Sequence, residues 1–135
     1  MSGASESPVC VAIVLCNECI EDKRTNNKTL INLFNAINVP SVPSIHQRMV
    51  IMASITNAST SLPLHLLIRT PSGAEVAKIN VDLHASHPLS VYDLVFEING
   101  VVLPEIGTYN IDLLHGTAYL GGRRFEVLPP QAPSA

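Results

Sequence analysis

The sequence predicts an all-β protein, a mostly antiparallel β-sandwich of seven to nine strands. Three observations lead there. Apolar and polar residues alternate over several runs, most clearly in Glu75 to His84 and in the last third, Tyr92 to Leu128. A period of two places alternate side chains on opposite faces of a strand, one for a core and one for water. Turn residues punctuate these runs at short, regular intervals, and no segment carries a strong helical stripe, which disfavours a βαβ architecture.

Taken in order, Met1 to Pro8 reads as a disordered leader (residues 1–8). Val9 to Cys16 is a continuous apolar run rich in Val, short enough for a strand buried on both faces. Asn17 to Lys28 is the most charged stretch and reads as an exposed hairpin connection, with Asn26-Asn27 suited to left-handed geometry. Thr29 to Ile37 is ambiguous. Leu30, Ile31, Leu33, Phe34 and Ile37 fit a helical stripe, whereas Ile31, Leu33 and Ile37 share a strand parity. The segment is short for a free-standing helix, so a strand is expected. Val39 to Ser44 carries Pro40 and Pro43 and should be an extended loop, the core of a connection spanning 39–47.

Arg48 to Thr56 has little alternation and reads as an interior strand. Pro63 to Thr70 follows, with Leu64, Leu66 and Ile68 inward and His65 and Arg69 opposite. Pro71-Ser72-Gly73 is a tight-turn sequence, so a hairpin leads into Glu75 to His84, where Ile79, Val81 and Leu83 share one face. Tyr92, Leu94, Phe96 and Ile98 then oppose Asp93 and Glu97; Tyr109, Ile111 and Leu113 oppose Asn110 and Asp112. Ala118 to Leu128 contains Gly121-Gly122, the mark of a bulge or a two-residue turn. Gly107-Thr108-Tyr109 has the form of a tyrosine corner, in which a ring is buried and its hydroxyl returns to the backbone; this makes the predicted sandwich immunoglobulin-like. One domain over 9–128 with a flexible tail at 129–135 is the expected organisation.

Composition narrows function mainly by exclusion. The chain of 135 residues is 47% hydrophobic and 14% charged, below the roughly 25% charge of ordinary soluble domains. A real core follows, as does room for an apolar outer patch that favours self-association. The net charge is −3 and the basic residues are scattered, so no nucleic-acid partner is expected. The longest apolar run, Val9 to Cys16, falls short of the roughly 20 residues a bilayer-spanning helix needs, and no basic amphipathic helix suits a membrane surface. Three cysteines and no basic leader point to a reduced, cytoplasmic protein.

Cys16-Asn17-Glu18-Cys19 is the one formal metal or redox motif. Two thiolates at that spacing reach a single zinc ion, but a structural site needs further ligands. Here His84 and His87 are the candidates, and only if the fold brings their loop to Cys16 and Cys19. A small metal-binding protein or enzyme built on these four is one alternative. The plainer reading is small residues ending a buried strand. His46, His65, His84, His87 and His115 fall in loops or on outward parities, and no nucleophile can be paired with them. Glu18, Glu21 and Asp22 lie beside Lys23 and Arg24 and read as a neutralised turn. A carbohydrate-binding sandwich is a further alternative, but without Trp it would rest on Tyr92, Tyr109 and Tyr119, two of which point inward.

Leu15-Cys16, the charged residues after it, then Asn27-Lys28-Thr29-Leu30-Ile31-Asn32-Leu33-Phe34-Asn35, Pro40 and Pro43 resemble the first half of a bacterial family of small uncharacterised proteins. Glu105-Ile106-Gly107-Thr108-Tyr109-Asn110-Ile111-Asp112 followed by Phe125-Glu126-Val127 is similar to its second half. The resemblance implies a single immunoglobulin-like sandwich domain with no assigned activity and no catalytic residues to carry over. The expectation is therefore a non-catalytic binding or assembly module without cofactor. Its partner, a protein or a second copy, would meet an edge strand or the loops 17–28 and 39–47.

Overall fold

The computed structural model describes residues 8–58 and 60–130. Among these, nine strands form two sheets. In chain order they are β1 (Val9–Glu21), β2 (Lys28–Leu33), β3 (Ala36–Asn38), β4 (Ser44–Thr56), β5 (Leu62–Arg69), β6 (Glu75–Leu83), β7 (Tyr92–Leu103), β8 (Gly107–His115) and β9 (Ala118–Leu128). One sheet has the order β2-β1-β4-β7 and the other β3-β9-β8-β5-β6. Every neighbouring pair is antiparallel except β3–β9, which is parallel. No helix among the described residues is long and apolar enough to cross a membrane.

Alternation builds the core. Leu15 of β1, Met49, Ile51 and Ile55 of β4 and Phe96 of β7 meet Leu64, Leu66 and Ile68 of β5, Tyr109, Ile111 and Leu113 of β8, and Phe125 and Val127 of β9. Each such side chain contributes roughly 1.5–3 kcal/mol by leaving water. The β5 reading holds: Leu64, Leu66 and Ile68 are buried, while His65 and Arg69 are half-buried on the opposite face.

The 29–37 segment is two strands in different sheets. β2 ladders with β1, and the Phe34 amide still donates to the Leu15 carbonyl (3.1 Å). One residue later the Asn35 carbonyl accepts from the Glu126 amide (2.9 Å), and β3 runs along β9. Asn32, with φ of 56°, takes a left-handed conformation just before this crossing. A segment that changes sheets shows apolar residues on both parities, which is why its sequence mimicked a helical stripe.

Three boundaries differ from expectation. Strand β1 continues to Glu21, so only 22–27 of the supposed 17–28 loop is turn, closed by the Asp22 amide on the Asn27 carbonyl (2.8 Å) and by Asn26 at φ 61°. Strand β4 begins at Ser44, so only 39–43 of the 39–47 connection lies outside strands. Strand β7 runs past Ile98 to Leu103: Gly100 has φ of 76°, and beyond it Val101 and Leu103 are buried, a change of parity that simple alternation cannot anticipate. Gly121-Gly122 lies within β9 beside a bulge, not in a turn: Leu113 pairs with Gly121 and Leu114 with Tyr119, which leaves Leu120 as the extra residue. The predicted leader (1–8) and tail (129–135) lie outside the described residues except for Pro8, Pro129 and Pro130, which belong to no strand.

The two sheets are tied where β1 passes β9. Arg123 shares the inward face with its cross-strand neighbour Ile111 and donates to the Ile13 carbonyl (2.9 Å) and to Asn35. Gly121 lies against Cys10, whose Sγ would be 3.1 Å from a Cβ at that position. At the other end of β8, the Tyr109 hydroxyl donates to the Glu105 carbonyl (2.7 Å) and accepts from the Glu105 amide (3.0 Å), which completes the tyrosine corner.

Candidate functional site at the free edge of β7

The register of the first sheet fixes where its backbone groups point. Because the Phe34 amide donates to Leu15, the backbone of Leu15 faces β2. Backbone direction alternates along a strand, so Val14 and Cys16 face β4 and bond their partners Met52 and Val50. Ile51 and Ala53 must then face β7 and bond Phe96 and Leu94. It follows that the amides and carbonyls of Asp93, Val95 and Glu97 point away from the sheet. Among the described residues β7 is its last strand, so these groups line an open edge on the regular stretch 92–99, before the break at Gly100.

The side chains of the same three residues stand on the outer face, since Leu94 and Phe96 point to the core. There they border a groove of about 360 Å³ lined by Cys19, Glu21 and Lys28 of the β1–β2 hairpin and by Asp93, Leu94, Val95 and Glu97 of β7. Arg48 crosses toward both walls, 3.1 Å from Glu97 and 3.9 Å from Glu18. Lys28 Nζ lies 3.3 Å from Glu21, and Asp93 accepts from the Ser54 hydroxyl (2.6 Å). Among the described residues Glu18, Glu21 and Glu97 pair with Lys28 and Arg48, and Asp93 has a neutral partner, which leaves an excess of negative charge. The Arg48 pairs are exposed and individually weak, while Lys28 is largely shielded beside Glu21.

Cys16, Cys19, His84 and His87 are not gathered into one site. Cys16 is buried between Leu33 and Val50, with its Sγ 3.4 Å from the Glu18 carbonyl. Burial pushes its thiol pKa up and the nearby Cys19 adds to this. Burial also raises Cys10. His84, just after β6, lies 3.4 Å from the Ser61 hydroxyl. The His87 and Ser86 amides both donate to the Tyr92 hydroxyl (3.0 Å), which draws the Tyr92 phenol pKa down. Among the described residues no group of three or more His, Cys, Asp or Glu is placed to hold a metal ion. Of the tyrosines, Tyr109 is fully buried, Tyr92 packs partly against the core, and Tyr119 is exposed.

His46 departs from the outward reading. Its ring lies tilted against Phe34, 5.9 Å between centroids, and its Nε2 is buried with no partner among the described residues. Burial holds its pKa below the usual 6.5. The unfolded chain therefore takes up this proton first, and the His46 contribution to stability is intact above pH 6.5 and lost as pH falls through the folded-state value. Urea denaturation between pH 7.5 and 5.5 should show a loss of stability that His46→Phe reduces; equal slopes for both proteins would refute the assignment.

Sequence reasoning placed Asp93 and Glu97 on a solvated strand face and did not single them out. Two carboxylates flanking Val95 at alternate positions, in a run without Pro, were the available signal. What local pattern does not reveal is that this strand ends its sheet.

The comparisons leave the site unassigned. An immunoglobulin-like protein from Pseudomonas aeruginosa is similar to this chain at 15% identity and a TM-score of 0.45, over 93% of this chain and 99% of that one. None of the curated proteins matches. The model of a family of unknown function, DUF6941, matches residues 11–128, and the chain, a two-sheet β-sandwich with a tyrosine corner, belongs to that family.

Proposed function

We propose that this protein is a non-catalytic, cytoplasmic binding module that captures an extended protein segment along β7. One observation carries the reading: the backbone groups of Asp93, Val95 and Glu97, which no strand among the described residues pairs, belong to the residues whose side chains border the groove. Edge strands are ordinarily blunted by Pro, bulges or shortness. β7 is long, contains no Pro, and pairs with β4 without a register shift. An added strand would gain main-chain hydrogen bonds from the edge and side-chain selectivity from the groove. Three free thiols suit a reducing compartment.

Val95→Pro tests this. Proline removes an amide that points off the sheet and leaves the bonds to β4 in place, a substitution that edge strands tolerate. Peptides selected from an unbiased display library on the full chain should bind Val95→Pro at least tenfold more weakly, with the denaturation midpoint little changed. An empty selection, or equal affinity for the two proteins, would sink the reading.

A further inference from the structure

Resting on that reading, we infer that the captured strand is basic, presenting a Lys or Arg side chain to the groove opposite Val95. A residue directly across from Val95 in an added strand would direct its side chain to the same face, its Cβ about 4.5–5.5 Å from that of Val95. Val95 is apolar and 39% exposed, a surface for an alkyl stem, as long cationic side chains lay their methylenes on apolar surface while the head stays in polar surroundings. Asp93 and Glu97 occupy the diagonal positions at roughly 7–8 Å, within reach of the charged head. Glu21 closes the groove from the hairpin side. Lys28, half-buried 3.3 Å from Glu21, and Arg48, shared between Glu18 and Glu97, offset two of the groove carboxylates, whereas Asp93 is bonded to a neutral Ser54 hydroxyl and keeps its charge for an incoming cation.

The same charges argue against a second copy as occupant. Two β7 strands paired about Val95 would set Asp93 of one against Glu97 of the other, and like charges directly opposed are destabilising. An acidic strand meets the same repulsion. The partner chemistry that remains is an extended segment with a cationic side chain on alternate positions.

The test uses short alternating Thr/Val peptides with Lys, Gln or Glu at the central groove-facing position, titrated against the full chain by fluorescence anisotropy at low and high salt. The Lys peptide should bind about tenfold or more tightly than the Gln peptide at low salt, with the gap narrowing as salt screens the pairing. Glu97→Lys should reverse the order in favour of the Glu peptide. Glu21→Gln, which leaves Arg48 undisturbed, should narrow the Lys preference without reversing it, and circular dichroism establishes that both variants fold. If Lys and Gln peptides bind alike and Val95→Pro weakens both, the edge captures strands without reading charge, and the inference fails while the function stands. If Val95→Pro weakens neither, the edge reading itself fails. Concentration-dependent dimerisation lost in Val95→Pro would replace the basic strand by a second copy.

Discussion

Tyr109→Phe is expected to lower the free energy of unfolding by about 1–3 kcal/mol, the typical penalty for leaving buried polar groups unpaired. The ring would stay, and with it the stacking on Phe125 at 5.2 Å between centroids. Only the hydroxyl is removed, and with it both bonds to Glu105: the Glu105 amide loses its acceptor and its carbonyl loses a donor. These bonds fix the corner by which the chain leaves β7 and enters β8, so the loss should appear in the urea midpoint without a change in slope. Tyr109→Ala, which also opens a cavity at a fully buried position, should cost about 3–5 kcal/mol. A pH signature accompanies the first effect. Burial raises the Tyr109 phenol above its ordinary 10, so the unfolded chain ionises first. The stability it supplies is complete below pH 10 and declines as pH rises through the folded-state value. The Phe variant should lack that alkaline decline. A midpoint unchanged in Tyr109→Phe would show that water satisfies Glu105 and that the corner is not what holds this end of the sandwich.

That corner was legible in the sequence because Gly107-Thr108-Tyr109 combines a turn residue with a strand-phase aromatic, a local arrangement with one physical outcome. The inward faces of β5 and β8 were legible for the same reason, since alternation is a property of consecutive residues. The β2–β3 crossing was not. Its direction change at Phe34-Asn35 depends on β9 being available to accept a parallel neighbour, a fact that lies some ninety residues downstream in the chain. The β7 site fails to show for a related reason. Asp93, Val95 and Glu97 carry the pattern of any half-exposed strand, and only strand order in space leaves their backbone without a strand partner among the described residues. The Cys16-x₂-Cys19 spacing illustrates the converse: a pattern suggestive in sequence whose Cys16 the fold buries while Cys19 borders the groove, with His84 beside Ser61 and His87 beside Tyr92.

Gly107→Ala should destabilise the fold through two separable terms. The backbone there has φ of 135°, a conformation L-residues avoid, and holding a side chain in such a region costs on the order of 1–3 kcal/mol. A Cβ at this position would also lie 2.8 Å from Pro71 Cγ and 3.3 Å from Pro71 Cβ, and overpacking of this kind adds about 1–3 kcal/mol. The contact is with a ring in the β5–β6 turn, which is held in turn by the Gly73 amide on the Thr70 carbonyl (2.9 Å) and by Ser72 donating to Glu105. A proline ring cannot rotate away as a flexible side chain can. Pro71→Ala removes Cγ but keeps Cβ, so combined with Gly107→Ala it should recover the overlap term and leave the φ term. A double-mutant cycle of denaturation midpoints should therefore return a favourable coupling of about 0.5–3 kcal/mol. Strict additivity would mean that the glycine is required for its backbone angle alone, and that the β5–β6 turn and the β7–β8 corner, although adjacent, do not lean on one another. A measured coupling would instead make these two turns a single mechanical unit closing the end of the sandwich next to Glu105, where Ser72 and the Tyr109 hydroxyl both converge.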